Sequence, residues 1–331
     1  MLDNLKEYML NFGYQDSDII EIIGDYSLRN YKDNLLDKIE KINTYLLEFY
    51  TKKEIIRMIK SLPSLYSYSI ENLTKKNNDL IELGYTKEDI IKMTRIVPIL
   101  YSHSMETINR KINDLMKFGY SKEDILKMTK FFSPLYSLSI QTIKEKIQSL
   151  RDLGYSNEEI IKMTKKHPSL YGRDIESIKK RINDLISLGY TKNEVLKITN
   201  DLPTLYGLSF ENIKKKINDL ISLGYSKIEV FKMTISLPVL FNLTFDKIIE
   251  KINFYKEYNL EFIVLKDPKR LMQSVELTYA RLKFFYDNNI LIDEINYGKL
   301  FQSNQRFSSQ FKISKDELLI LYPYLKKEKS H

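Results

Sequence analysis

Apolar residues recur along this chain with a long, fixed period. Between Phe49 and Tyr258 the same pattern of apolar and polar positions returns every 35 residues. In each copy one apolar set follows helical spacing and so marks one face of an α-helix. Copies with this period and no gap between them predict a solenoid of stacked repeats. The six copies begin at Phe49, Gly84, Gly119, Gly154, Gly189 and Gly224.

Each copy carries signals for two helices. A Ser or Thr followed three residues later by an acid, such as Ser156 and Glu159, predicts a capping box at the start of the first helix. A proline such as Pro168 ends that helix, because it lacks an amide hydrogen and disfavours the α conformation in the residue before it. After a Leu-Tyr connector, a Ser, Thr or Asp such as Asp174 caps the second helix, which the glycine of the next copy terminates.

The ends of the chain are imperfect copies. Gly13 and Tyr14 begin a degenerate repeat, and Arg281 matches Lys251 at a distance of 30 residues instead of 35. Terminal repeats of a solenoid are atypical because they cover the open ends of its core. We therefore predict an all-α, superhelical solenoid of about eight stacked helix-pair repeats. Its predicted parts are a capping repeat at 1–48, six repeats at 49–258, and a shortened repeat with a helical cap at 259–331, including a charged tail, Lys326 to Lys329.

Two columns of basic residues run through the repeats. The first lies on the second helix, about 90° from the centre of its apolar face, where it is able to line a groove. It comprises Lys41, Lys76, Lys111, Lys146, Arg181, Lys216, Lys251 and Arg281. The other lies on the first helix, about 180° from the apolar face. It comprises Arg57, Lys92, Lys127, Lys162, Lys197 and Lys232.

A column of amides occupies the other flank of the second helix, where it is able to reach phosphate, sugar or bases. It comprises Asn78, Asn113, Gln148, Asn183, Asn218 and Asn253. A spaced row of positive charge is typical of a protein that binds a polyphosphate. The alternative is that the lysines only solvate helix faces, since the chain has 52 Lys and Arg against 44 Asp and Glu. The sequence does not show whether the two basic columns share one side.

The tyrosine of the connector offers two interpretations. Stacked bases on this column would suit nucleic-acid binding, but we favour core packing, because Phe241 replaces tyrosine in the sixth repeat and the neighbouring leucine is apolar. The column comprises Tyr66, Tyr101, Tyr136, Tyr171 and Tyr206.

Composition narrows the function. The 331 residues include no cysteine and three histidines, and the net charge is +8. We find no glycine-rich phosphate loop and no set of nucleophile, base and orienting group, so we expect neither an enzyme nor a bound cofactor or metal. No apolar run approaches the length of a membrane span. Acidic residues near the start, such as Asp3 and Glu7, argue against a transit peptide, so we expect a cytoplasmic protein or a processed organellar form.

The repeat also resembles a known family. Its pattern G-Y-[ST]-x-x-[ED]-I-[IL]-K-M-T-x-x-x-P-x-L-Y, followed by a capped second helix, is similar to that of the mitochondrial transcription termination factor family over roughly residues 13 to 290. The resemblance implies a left-handed solenoid with a short 3₁₀ turn at each connector. It also implies a basic concave groove for double-stranded DNA or structured RNA, and a role in organelle transcription, replication or ribosome assembly without catalysis.

We therefore predict a monomeric nucleic-acid-binding protein that regulates transcription or a related process. Because the columns are rich in lysine, we expect contact with phosphates more than bidentate recognition of guanine. The alternative is a scaffold for protein partners, which the same architecture serves equally well.

Overall fold

The computed structural model describes residues 2–31 and 34–325. The charged tail predicted from the sequence, Lys326 to Lys329, lies outside the described residues. The structure divides into two compact units, Met1–Lys179 and Lys180–His331, and we treat each by itself. The boundary falls within one helix, α11 (Ile175–Leu188). The described residues contain α- and 3₁₀-helices and no β-strand.

The first unit consists of helix pairs joined by 3₁₀ turns. Its α-helices are α1 (Leu2–Phe12), α2 (Asp16–Gly24), α3 (Leu35–Leu47), α4 (Lys52–Ser61), α5 (Ile70–Leu83), α6 (Lys87–Ile96), α7 (Met105–Met116), α8 (Lys122–Phe131), α9 (Ile140–Leu153) and α10 (Asn157–Lys166). Its 3₁₀ helices are Tyr26–Tyr31, Pro63–Ser67, Pro98–Tyr101, Ser133–Tyr136 and Pro168–Gly172.

The second unit continues the pattern and ends in a cap. Its α-helices are α12 (Lys192–Asp201), α13 (Phe210–Ser222), α14 (Lys227–Ser236), α15 (Phe245–Glu257), α16 (Phe262–Lys266), α17 (Val275–Asp287), α18 (Asn304–Phe311) and α19 (Lys315–Leu321). Its 3₁₀ helices are Pro203–Gly207, Pro238–Phe241, Pro268–Met272 and Tyr297–Phe301.

The local signals in the sequence explain these boundaries. A full capping box opens the first helix of each of the six full repeats, as at Ser156 and Glu159 in α10. The second helix is capped by a serine side chain in most repeats, whereas the Thr244 side chain forms no capping hydrogen bond at the start of α15. Gly84 ends α5 with a φ of 121°, a backbone conformation that glycine adopts without strain. The predicted helix pairs and 3₁₀ connectors are confirmed.

Hydrogen bonds between buried side chains join one repeat to the next. The hydroxyl of Tyr85, at the start of one repeat, lies 2.6 Å from the Thr129 hydroxyl and 2.7 Å from the Tyr136 hydroxyl of the following repeat. Tyr120 contacts Thr164 and Tyr171 in the same way, at 2.6 and 2.5 Å. The connector tyrosines are therefore buried core residues, as expected. Their exposed fractions are at most 6% for Tyr66, Tyr101, Tyr136, Tyr171 and Tyr206.

The shortening near the C terminus lies in the first helix of its repeat. Helix α16 has 5 residues, whereas the preceding first helix, α14, has 10. Asn259 and Asn289 take the left-handed conformation after α15 and α17, with φ of 56° and 58°, where earlier repeats place glycine. Helices α18 and α19 then follow α17. The predicted all-α fold of stacked helix-pair repeats is confirmed.

Candidate nucleic-acid interface

The basic column of the second helix points at the neighbouring repeat. Lys216 in α13 donates a hydrogen bond of 2.6 Å from Nζ to the backbone carbonyl of Leu243, which is 27 residues ahead. Lys251 donates to the Gln273 carbonyl at 2.8 Å. Four other members of the column make the equivalent bond, and we call these six bonds the inter-repeat latch. In the first unit they join Lys76 to His103, Lys111 to Leu138 and Lys146 to Arg173, and in the second they join Arg181 to Leu208.

The latch binds a carbonyl just before a helix begins. Leu138, for example, precedes Ser139, the N-cap of α9, so its carbonyl belongs to the connector. A polar backbone group in a partly buried position needs a partner, and the lysine of the preceding repeat supplies it. Burial lowers the pKa of Lys111, Lys146 and Lys216 below its ordinary value. The helical spacing predicts that this column is able to line a groove, but in the structure each amino or guanidinium group is already bonded to the protein.

The two ends of this column differ from its middle. Lys41 is exposed and forms an ion pair of 2.8 Å with Asp37. The latch-like bond there comes from Lys38, whose Nζ lies 3.0 Å from the Ser67 carbonyl oxygen. Arg281 is only 2% exposed and donates to the carbonyls of Leu300 and Gln302. Arg281 therefore anchors the C-terminal cap to α17, and Lys41 remains the exposed member.

The basic column of the first helix is exposed to solvent. It lies opposite the buried side of its helix, as the helical spacing predicts. Lys127 forms an ion pair of 2.7 Å with Glu123 one turn earlier, and that pair is itself exposed. The column comprises Arg57, Lys92, Lys127, Lys162, Lys197 and Lys232, and all six are exposed.

The amide column is also exposed, on the outward side of the second helix. Both helices of a repeat bury side chains in the shared core, so their exposed faces point away from that core. The first-helix bases and the amides such as Asn113, Asn183 and Asn218 therefore occupy different helix faces within a repeat. Of the three predicted columns, the first-helix bases and the amides are exposed, whereas the second-helix bases are mostly half-buried in the contacts between repeats.

Exposed lysines at the first position of the first helix were missed by the sequence analysis. They stand directly after the N-cap, where the partial positive charge of the helix terminus disfavours a base. Lysine occurs at this position in five of the six repeats although the helix terminus disfavours it. That recurrence is the signal in the sequence that could have revealed these residues. The residues are Lys52, Lys87, Lys122, Lys192 and Lys227, with Asn157 in the fourth repeat.

Basic residues near the end of the first helix form ion pairs with the preceding repeat. Lys130 forms an ion pair of 2.7 Å with Asp89 of the preceding repeat, and Lys165 contacts Asp124 in the same way at 2.8 Å. Both acids also belong to capping boxes. Ion pairs at this column, like the latch, stabilise the contact between repeats, so these bases are less suited to an external ligand.

Neither a metal centre nor a membrane segment emerges from the described part of the chain. Within residues 2–31 and 34–325, no three His, Asp or Glu side chains are grouped closely enough to hold a metal ion. None of the helices in those ranges has the length and apolar character needed to cross a bilayer.

The stacked repeats and the exposed basic column of their first helices are typical of helical-repeat binding proteins. The mTERF family model matches residues 25–150 and 136–307, which together span most of the chain. The chain therefore belongs to the mTERF family, whose members are nucleic-acid-binding helical-repeat proteins and generally not enzymes. A comparison with curated proteins gave no match.

Proposed function

We propose that this protein binds double-stranded DNA or structured RNA through the phosphate backbone, and that binding regulates transcription or a related process. Membership of the mTERF family supports nucleic acid as the class of ligand. The observation that carries the proposal is the exposed basic residue on the first helix of every repeat. Regularly spaced positive charge suits a ligand whose negative charge is regularly spaced.

The first-helix column suits phosphate better than the second-helix column does. Lys92 and Lys197 extend into solvent, whereas the amino groups of Lys111 and Lys216 already donate to backbone carbonyls. A phosphate contact gains most from an exposed charge that does not have to give up a bond between two repeats. The Asn column adds hydrogen-bond donors without adding charge, so it would contribute to position more than to affinity.

The proposal is tested by titrating the full chain against a short DNA duplex, an RNA hairpin of equal length and a single strand, each at several salt concentrations. Phosphate contact predicts that the affinity falls linearly on a double-logarithmic plot against salt. Comparable affinity for the DNA duplex and the RNA hairpin would favour recognition of the backbone. Absence of binding to all three ligands at low salt would exclude the proposal.

The protein scaffold is the second candidate. One feature favours it: several large apolar side chains are exposed in α17 and in the C-terminal cap. They include Tyr286, Leu291, Ile295, Ile320 and Leu325, each more than three quarters exposed. An apolar patch on a protein surface marks an interaction site where its side chains are contiguous.

A further inference from the structure

The repeat that follows α17 has no first helix. The amide of Ile290 donates to the Phe285 carbonyl at 2.8 Å, a bond that closes the end of α17. The amide of Tyr155 makes the equivalent bond to the Leu150 carbonyl directly before α10 begins. After α17, however, the described residues 288–296 form only turns and irregular backbone, and the next element is a 3₁₀ helix. The helix that stacks on the preceding repeat elsewhere in the array is therefore missing here.

A groove marks the place of the missing helix. It lies between the ends of α15 and α17 and has a volume of about 700 Å³. A pocket at the equivalent place beside α9 measures about 170 Å³, and there Asn157, Ile160 and Ile161 of α10 form part of the wall. Among the described residues, no helix supplies the corresponding wall of the larger groove. The lining of that groove includes Tyr258, Leu260, Leu282, Tyr286, Ile290 and Leu291.

The groove exposes apolar side chains more than the equivalent places in the array do. Leu282 follows Arg281 and so occupies the column that Ile147 represents in the third repeat. The isoleucines of this column are at most 6% exposed, whereas Leu282 is half-buried. Tyr286 and Leu291 are each 77% exposed. Covering these side chains would remove apolar surface from water, which is favourable. The isoleucines are Ile112, Ile147, Ile182, Ile217 and Ile252.

The array also indicates the shape of the missing helix. Ile161 of α10 rests on the glycine that begins the preceding repeat, since a Cβ on Gly119 would lie only 3.0 Å from Cδ1 of Ile161. The same close approach recurs between Gly189 and the Phe231 ring, at 3.1 Å. In the groove this glycine is replaced by Asn259, which has a Cβ. A helix placed there therefore needs a small residue where α10 has isoleucine.

We propose that this groove binds an amphipathic α-helix of a second protein, which takes the place of the missing first helix and so extends the array. Its apolar face covers Leu282, Tyr286 and Leu291, and its polar face points to solvent as the outer faces of the other first helices do. The groove continues the interface between repeats, and that interface specifies a helix as the occupant. The inference adds a protein partner to the proposed function and does not rest on it.

The test uses the full chain and a fluorescent peptide with the sequence of residues 155–166 carrying Ile161→Ala. A helix of this length is marginal in water, so a lactam joins the side chains of Glu158 and Lys162, which are exposed in α10 and lie one turn apart. We expect the wild-type protein to bind this peptide about tenfold more tightly than a scrambled peptide with the same lactam. Equal binding of the two peptides, or no binding of either, would overturn the proposal.

The decisive variant removes apolar surface from the groove. Tyr286→Ser and Leu291→Ser together change two side chains that are more than three quarters exposed, so the fold should be retained. The peptide should bind this variant about tenfold more weakly. Ile228→Ser with Ile320→Ser is the matched control, because these residues are 68% and 78% exposed and do not line the groove. The control should leave the affinity unchanged; equal weakening in both double variants would show nonspecific apolar attraction and overturn the proposal.

A second variant tests the placement of the helix through a gain of binding. Asn259→Gly restores the glycine of the other repeats, and glycine adopts the φ of 56° at this position without strain. The peptide that retains Ile161 should bind the wild-type protein about tenfold more weakly than the Ile161→Ala peptide, because it overpacks against Asn259. That difference should disappear in Asn259→Gly. The same preference in both proteins, or no preference in the wild type, would contradict the assignment.

Two further measurements distinguish a partner helix from other occupants. Wild-type protein should sediment without concentration-dependent association. Association that Tyr286→Ser with Leu291→Ser abolishes would identify a second copy of the chain as the occupant and overturn the partner assignment. A DNA duplex should bind this double variant as it binds the wild type, whereas weaker duplex binding would place the groove on the nucleic-acid surface and overturn the proposal. Failure of both proteins to bind the duplex would count against the proposed function alone.

Discussion

The amino group of Lys216 donates a hydrogen bond of 2.6 Å to the backbone carbonyl of Leu243, which belongs to the next repeat. The same bond recurs at Lys76, Lys111 and Lys146 in the first unit. A column that looks from its charge like a ligand-binding surface is therefore also a contact between repeats. A mutation in this column can therefore change the stability of the fold, the binding of a ligand, or both, and the two effects are measured separately.

Removing one latch should lower stability without unfolding the protein. Lys216→Met keeps the aliphatic stem but leaves the Leu243 carbonyl without its donor, and we expect a loss of roughly 1 kcal/mol in the free energy of unfolding. Urea denaturation monitored by circular dichroism measures the change. Lys215→Met is the matched control, because Lys215 is the exposed neighbour on the same helix and should show a change near zero. Equal effects of the two substitutions would argue against the latch.

The interface of the second repeat should be improved by a single substitution. Asn77 occupies a column that is a buried isoleucine in the later repeats, such as Ile182. Its amide donates to the Tyr45 hydroxyl at 3.2 Å, but among the described residues its buried oxygen accepts no hydrogen bond. Asn77→Ile should raise the free energy of unfolding by about 1 kcal/mol and slow hydrogen exchange in residues 49–83.

The reciprocal change tests the same column in the second unit. Ile182→Asn places an amide in a buried position where isoleucine packs, and it should cost a few kcal/mol.

Hydrogen exchange in the 49–83 segment that is no faster than in its neighbours in the wild type would contradict the view that Asn77 weakens its repeat.

The buried tyrosines should make the fold sensitive to alkali. Burial raises the pKa of Tyr85 and of Tyr171 well above the usual 10.0. In the unfolded chain these phenols lose their protons near their ordinary pKa, so the unfolded state binds fewer protons than the native state above that pH. The free energy of unfolding should therefore be unaffected by these groups at neutral pH and fall as the pH rises above about 10. Thermal melts between neutral pH and pH 11 would reveal the fall.

The conservative variant Tyr85→Phe tests whether the buried tyrosines cause the loss of stability at alkaline pH. Tyr85→Phe removes the hydroxyl that contacts Thr129 and Tyr136, which should cost about 1 kcal/mol at neutral pH and make the alkaline fall shallower. Tyr26, which is 80% exposed, provides the control, and Tyr26→Phe should change neither quantity. An alkaline transition that is identical in wild type and Tyr85→Phe would assign it to other groups.

Local signals in the sequence were enough to predict the helix pairs, because caps, prolines and glycines act within a few residues of where they stand. The partner of Lys111 was not predictable in this way. It is the carbonyl of Leu138, and the equivalent residues are His103 and Arg173, so side-chain identity at that column carries no information about a backbone bond. The contact between Tyr85 and Thr129 had a visible signal: a polar residue that recurs in the apolar face of every full repeat after the first.

Only part of the candidate site could be predicted from the sequence, because helical spacing does not determine which contacts a side chain makes. Spacing on a helix places Lys92 and Lys197 opposite their buried faces, and both are exposed as that geometry requires. A residue on the flank of a helix is able to turn its side chain toward solvent or toward the next repeat. The packing of the repeats determines which of these orientations occurs. Exposure therefore distinguishes the two columns where charge and periodicity do not.

The central claim is that the exposed first-helix column contacts phosphates, and the salt dependence of binding tests it most directly. If its six bases each neutralise one phosphate, log affinity for a DNA duplex should fall against log salt with a slope of about −5. Replacing Lys92, Lys197 and Lys232 with glutamine should flatten the slope by about 3, whereas replacing Lys111, Lys146 and Lys216 with methionine should lower the melting temperature and leave the slope nearly unchanged. A slope that survives the first triple variant and flattens in the second would contradict the account.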